Sequence, residues 1–206
     1  EMCEYYNVSR ITIKKAVDQL VSEGLVVKRR GAGTFIKDLA STEARELSMS
    51  RQFTGFSEGH KYSSVTSKIV KFEVINPDEE IADKLRITVE DFVYHIIRVR
   101  YSDNVPFVIE YTYMPISLIP GIKNDVLENS IYSYIENSLK LKIKSAHRII
   151  RAIAPNDTEQ EYLEIDKGFP ILEVEQIGFL DNGKAFEYSK SHHKGDTIEF
   201  RSVSIK

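Results

Sequence analysis

Residues 8–36 read VSRITIKKAVDQLVSEGLVVKRRGAGTFI, and the punctuation of this stretch decides the front of the fold. Ser9 stands where a helix N-cap is wanted, with a short polar side chain able to accept from the free N–H groups of the first turn. Ile11, Ile13, Val17, Leu20 and Val21 then recur at helical spacing until Gly24, which can take the left-handed conformation just past a helix end. Leu25-Val26-Val27 reads as a strand, Arg29-Arg30-Gly31-Ala32-Gly33 as a glycine-bearing hairpin tip and Thr34-Phe35-Ile36 as the returning strand. Asn7-Val8-Ser9 separates this unit from an earlier helical stretch, EMCEYY at 1–6. The expected order is a short helix, a tight turn, a longer helix and a two-stranded wing. The chain opens inside the first helix, and not on Met, so a preceding segment is expected to have been lost.

Beyond the wing the pattern changes. Residues 38–64 are polar and hold Ser41, Thr42, Ser48, Ser50, Ser57, Ser63 and Ser64, which suits a linker passing into an ordered loop. The division expected is a head at 1–38, a linker at 39–50 and a body at 51–206. In the body, strand-like runs recur about ten residues apart at 65–75, 92–102, 106–114, 143–153, 170–180, 184–192 and 197–205. Helical pieces fall at 77–85, 129–139 and 156–163, while Asn104, Pro120-Gly121 and Asp181-Asn182-Gly183 mark turns. An antiparallel sheet with a few helices follows, hence an α+β fold class.

Net charge is -3, which looks wrong for a polyanion binder until it is divided along the chain. Residues 1–37 hold seven Lys and Arg against four Asp and Glu, so a basic head sits on an acidic body, as expected of a DNA reader joined to something else. No run approaches the length of a membrane span or a signal peptide, so a cytoplasmic protein with no membrane partner is expected. Cys3 is the single cysteine, which leaves no disulfide within the chain. His60, His95, His147, His192 and His193 lack metal-ligand spacing, and the adjacent pair on a strand would face opposite ways. Neither a metal nor a cofactor is expected.

A helix entering the major groove needs short polar and basic residues near its N-terminus and apolar residues behind them. Ser9, Arg10, Thr12, Lys14 and Lys15 meet the first need; Ile13, Ala16, Val17 and Leu20 meet the second. Arg29 and Arg30 flank a tip where Gly31 and Gly33 allow close approach to a phosphate or the minor groove. Each residue alone fits a solvated amphipathic helix or turn; the ordered combination does not. The string closely resembles the GntR-family winged helix, with its Val-Ser-Arg turn, Thr-aliphatic-basic triplet, Glu-Gly helix end and basic Gly-x-Gly-Thr-Phe wing. The resemblance implies a transcription regulator, whose expected partners are double-stranded operator DNA and a second copy of the chain.

Residues 50–206 resemble the UTRA domain of the HutC-like subfamily, which shares the chorismate-lyase fold and binds small effectors. The resemblance rests on Ile97-Arg98-Val99-Arg100, on PFVIEYTYMPISLIP at 106–120, on Ser130-Ile131-Tyr132 and on AFEYSKSHHKGDTIEF at 185–200. Arg98 and Arg100, two apart on one strand, would share a face, and an inward pair of arginines calls for an anion. Ser130 and Tyr132 fall at a helix start, where backbone N–H groups favour the same charge. In the N-acetylglucosamine-responsive members of the subfamily, the matching arginines, serine and tyrosine hold a sugar phosphate. A loop matching Thr54, Gly55, Phe56 and Ser57 closes on it there, and glutamates matching Glu110 and Glu187 meet the sugar. Gly55 here replaces a hydroxyl residue, and His193-Lys194 replaces a Tyr-Arg pair.

The reading that follows is a dimeric repressor released by a phosphorylated sugar. Three alternatives stand beside it. Arg98 and Arg100 could lie on a solvent-facing strand, ion-paired with Glu110 and Glu187. The body could be a lyase-like enzyme using Glu110 and Glu187 as acid and base, although no nucleophile, cofactor loop or metal set accompanies them. The effector could also be a metabolite without phosphate. Tyr111, Tyr113 and Phe179 are expected to serve packing.

Overall fold

In a computed structural model of the protein, residues 1–37 and 65–198 are described, and they fall into two compact units, a head and a body. The linker expected at 39–50 and the loop residues Thr54, Gly55, Phe56 and Ser57 lie outside the described residues.

The head has a short helix α1 (Met2–Tyr5), a longer helix α2 (Arg10–Ser22), and a hairpin of β1 (Val26–Arg29) and β2 (Gly33–Ile36). Ser9 caps α2, accepting from the Thr12 N–H at 3.1 Å. At the other end the Leu25 N–H reaches Leu20 O and the Gly24 N–H reaches Val21 O, closing the helix while Gly24 sits at φ +76°. Ile13, Val17 and Val21 form the half-buried stripe of α2, and Val26 is the buried apolar side chain among the head's described residues. Two residues expected on that stripe stand elsewhere: Leu20 is 38% exposed and Ile11 is 68% exposed.

The body is a six-stranded antiparallel sheet in the order β3-β4-β5-β8-β7-β6. Its strands are β3 (Val65–Ile75), β4 (Val93–Ser102), β5 (Val105–Pro115), β6 (Ile143–Ile153), β7 (Ile171–Leu180) and β8 (Ala185–Lys194). Two three-stranded meanders are therefore joined through the central β5–β8 pair. Asp103 and Asn104, both at positive φ, turn β4 into β5, and Asp181-Asn182-Gly183 turn β7 into β8. The strand expected at 197–205 lies outside the described residues except at its start, where Thr197 belongs to a turn.

Helices cover both faces because strand side chains alternate. Helices α3 (Glu79–Leu85) and α6 (Asp157–Leu163) pack on one face, where Ile81 and Leu85 meet Val93 and Tyr188 and Leu163 meets Val99, Ile109 and Ile171. On the other face, α4 (Asn124–Glu128) and α5 (Ile131–Ser133) bring Leu127 and Ile131 against Tyr94, Ile96, Met114 and Phe186. The segment expected as one helix at 129–139 is a single α-turn that runs into a π-turn, Tyr134–Ser138, and α4 was not foreseen.

Candidate functional site

The second face carries the polar residues. Directly opposite residues of neighbouring strands share a face. The pairings Arg98↔Glu110, Arg100↔Val108, Val108↔His193, Glu110↔Ser191, Gln176↔Ser189 and Gly178↔Glu187 thus put Arg98, Arg100, Glu110, Glu187, Ser189, Gln176 and His193 on one surface. The end of α4 and the start of α5 supply its roof. Arg98 Nη1 donates to Leu127 O at 2.9 Å, and Arg100 Nη1 reaches Asn129 O at 3.4 Å. Ser130 caps α5 by accepting from the Ser133 N–H at 3.2 Å.

Charge is concentrated here out of water. Arg98 and Arg100 are 6% and 2% exposed, so a solvent-facing strand does not describe them. One part of that alternative does hold: Arg98 Nη2 donates to Glu110 Oε2 at 2.8 Å. Burial alone would raise the Glu110 carboxyl, but the guanidinium charges of Arg98 and Arg100 outweigh it and hold the group below its ordinary range. Burial also lowers Arg100. Glu187 behaves oppositely: burial, aided by the nearby Glu110 charge, pushes its carboxyl up against hydrogen bonds with Ser189 Oγ at 2.6 Å, the Tyr132 hydroxyl, and Gln176 Nε2 at 3.2 Å. Glu187 Oε2 and Arg98 Nε are buried without a hydrogen-bond partner among the described residues. The surface thus presents an inward donor from a cation and an inward oxygen from a carboxyl held toward its neutral form, an arrangement suited to a ligand that is anionic at one end and hydroxylated at the other.

Tyr132, beside Glu187, also accepts from Gln176 Nε2 at 3.0 Å, and Arg148 Nε donates to Gln176 Oε1 at 2.7 Å. Sequence reasoning passed over Gln176, Ser189 and Arg148. The signal was available for Gln176: in LEVEQIGFL it shares its alternate positions with Leu172 and Val174, so a polar residue stands on an otherwise inward apolar row. His193 lies on the site's face, while His192 points to the opposite one, between Glu159 at 2.6 Å and Glu173 at 2.9 Å. Tyr111 and Tyr113 lie on that opposite face, packed in its apolar clusters. Among the described residues, no group of His, Cys, Asp and Glu is arranged to hold a metal, and no helix is long and apolar enough to cross a membrane.

In the head, Arg10, Lys14, Lys15, Arg29, Arg30, Gly31 and Gly33 are all exposed. Ser9 and Thr12 are exposed too, but their hydroxyls bond each other at 2.9 Å. The wing tip turns through the Ala32 N–H to Arg29 O at 3.0 Å, with Gly31 at φ +77° and Gly33 at φ +119°.

A capped helix with a basic hairpin, linked in one chain to a polar site on an antiparallel sheet, defines a two-part regulatory protein. Residues 1–36 match the bacterial regulatory proteins of the gntR family, and residues 60–199 match the UTRA domain. The chain belongs to the GntR family of DNA-binding transcription regulators, with a UTRA body of the kind found in the HutC-like subfamily; the family is one of regulators and not of enzymes. It is 43% identical to the HTH-type transcriptional regulator GmuR of Bacillus subtilis, over 100% of this chain and 86% of that protein. It is 33% identical to the mannosyl-D-glycerate transport/metabolism system repressor MngR of Escherichia coli, over 97% of this chain and 82% of that one. The crystal structure of the possible transcriptional regulator YydK from Bacillus subtilis is similar at a TM-score of 0.80 and 27% identity, over 99% of this chain and 87% of that one.

Proposed function

We propose that the protein is a cytoplasmic, dimeric repressor whose affinity for operator DNA is set by a phosphorylated sugar bound on the UTRA sheet. The observation that carries the effector reading is the pair of buried guanidiniums, Arg98 and Arg100, side by side on β4 with Glu110 as the carboxylate facing them. Two guanidiniums gathered out of water on one strand draw an anion more strongly there than they would in water, and their planar forks match a phosphate. Ser130 and Tyr132 would share the anion; Glu110, Glu187 and His193 would meet the remainder of the ligand, with Thr54, Gly55, Phe56 and Ser57 closing over it. MngR, named for a sugar joined to a carboxylate, supports an effector that combines sugar and negative charge. In the head, Ser9, Arg10, Thr12, Lys14 and Lys15 would enter the major groove while Arg29, Arg30, Gly31 and Gly33 follow the backbone. Regulation requires that the effector favour a conformation in which the heads misfit the two half-sites; a tenfold switch needs about 1.4 kcal/mol of coupling.

The thermal midpoint measured against sugar phosphates, the corresponding free sugars and inorganic phosphate tests the effector. A ligand at 100 times its dissociation constant adds about 2.7 kcal/mol, several degrees for a chain of this size. A sugar phosphate is expected to raise the midpoint, and Arg100→Gln to abolish the rise. Arg100 is the better position to vary, because removing Arg98 would also strand Glu110. If no phosphate compound acts while an uncharged or carboxylate metabolite does, the effector is of that other class.

A further inference from the structure

We propose that Ile11 reads the C5-methyl group of a thymine in the major groove of the operator. The inference rests on the head docking by α2, as proposed for the operator complex. Ile11 is 68% exposed in the first turn of a thirteen-residue helix. An isolated exposed isoleucine needs no explanation in general; its position here does. At roughly 100° per residue, Ile11 is about 160° from Ile13, 120° from Val17 and 80° from Val21, so it stands off the half-buried stripe of α2. It shares its side of the helix with Lys15 and with Asp18, which is paired with Lys28, and it flanks Lys14. An apolar side chain off the packing stripe, beside Lys14, Lys15 and an Asp18 already answered by Lys28, is placed to meet a polyanion that itself carries apolar groups.

Elimination among its neighbours points the same way. Ser9 is engaged in capping Thr12 N, and the Ser9 and Thr12 hydroxyls bond each other. Lys14 and Lys15 supply point charges that favour phosphates without choosing a base. Ile11 is thus the apolar side chain that the first turn offers to a base edge beside these polar ones. Of the four base pairs, only those containing thymine offer a methyl group in the major groove, and apolar side chains are its usual partners.

The operator sequence itself is found in the course of the test. Random-sequence duplexes are selected on the full chain, and in the enriched site each thymine is replaced singly by uracil, which removes only the methyl. At one thymine per half-site the wild type is expected to lose affinity roughly three- to fivefold, the worth of about one buried methyl. Ile11→Ala should show a similar loss on the thymine duplex and no further loss on uracil, with an unchanged thermal midpoint because the side chain is exposed. Indifference of the wild type to every replacement, or equal sensitivity of Ile11→Ala, overturns the assignment of Ile11 alone. Failure to enrich any sequence overturns the base-reading head and this inference with it.

Discussion

Arg98 and Glu110 face each other across β4 and β5 with 2.8 Å between Nη2 and Oε2, and their side chains are only 7% and 15% exposed. The pair does two opposed things. It sets a carboxylate against the inward guanidiniums, which offsets the cost of burying them, and it puts a negative charge beside the place proposed for the effector's anion. Glu110→Gln should therefore destabilise the unliganded protein by about 3 kcal/mol, since breaking a buried pair leaves its partner uncompensated. In the same variant inorganic phosphate should stabilise more strongly than in the wild type. Thermal midpoints with and without phosphate measure both; a variant that phosphate rescues no better than the wild type removes the anion from this site.

Glu187 gives the site a pH dependence of its own. Its carboxyl is raised by burial, so its folded value exceeds its unfolded one. The stability this contributes is fully present below the ordinary carboxyl value and is lost as pH rises through the folded value. A ligand hydroxyl donating to Oε2 would favour the ionised form and release a proton. Calorimetry of effector binding just above the ordinary carboxyl range, in buffers of different ionisation enthalpy, should record that release, and Glu187→Gln should erase it.

On the opposite face, the ring of His192 lies between Glu159 and Glu173, with both nitrogens matched to carboxylate oxygens. Glu159 is also the capping-box residue of α6 and accepts from the Tyr111 hydroxyl. Burial would raise Glu159, but the hydrogen bond from His192 and those from Asn156 and Tyr111 hold it below its ordinary value. Its stabilisation is therefore present above the unfolded carboxyl value and lost as pH falls through and below about 4. His192→Gln should cost about 2–3 kcal/mol, the worth of a charged hydrogen bond withdrawn from a buried acceptor. Its acid limb should also flatten, because the donor that depresses Glu159 is gone. Denaturant melts at pH 7 and pH 4 separate the two effects.

Gly121 lies in the connection that leads to α4. It sits at φ +78°, and a Cβ there would approach the Tyr134 hydroxyl to 2.7 Å, the hydroxyl that donates to Pro120 O at 2.9 Å. Gly121→Ala should cost about 1–3 kcal/mol from the backbone conformation and the displaced ring together. Because Tyr134 opens the π-turn after α5, effector affinity should fall as well; a variant that loses stability at full affinity would separate the roof from the site.

Much of this architecture was legible in the residues. Alternation over 65–75 and 143–153 matched the edge strands to the residue, and Ser9 and Gly24 bounded α2 because capping and left-handed closure leave few residue choices. That Arg98 and Arg100 share a face followed from the period of a strand, while their burial had to come from the structure. What escaped depended on contacts distant in sequence. Gln176 bridges Tyr132, 44 residues away, to Glu187, and no local pattern announces that. The π-turn at Tyr134–Ser138 was hidden because its residues also fit an ordinary helix. Ile11 was misplaced because an apolar residue near a periodic stripe is taken into it by default, although its angle on the helix already argued against this.

The cations of the head are not equivalent for DNA. Lys28 is bonded to Asp18, from β1 to α2, and this pair lowers the Asp18 carboxyl through the Lys28 hydrogen bond. Lys14 and Lys15 stand exposed on α2. Each lysine that neutralises a phosphate releases about 0.9 of a counterion, so Lys14→Ala and Lys15→Ala should each reduce the slope of log affinity against log salt by up to about 0.9, uniformly across DNA sequences. Lys28→Ala should change that slope little, because its charge is already answered within the head; its cost should appear in the thermal midpoint, and only slightly, since the pair is exposed. Affinities for one duplex at several salt concentrations decide the matter. A full loss of slope in Lys28→Ala would mean that DNA draws the lysine away from Asp18, and that the wing base, as well as its tip, follows the phosphates.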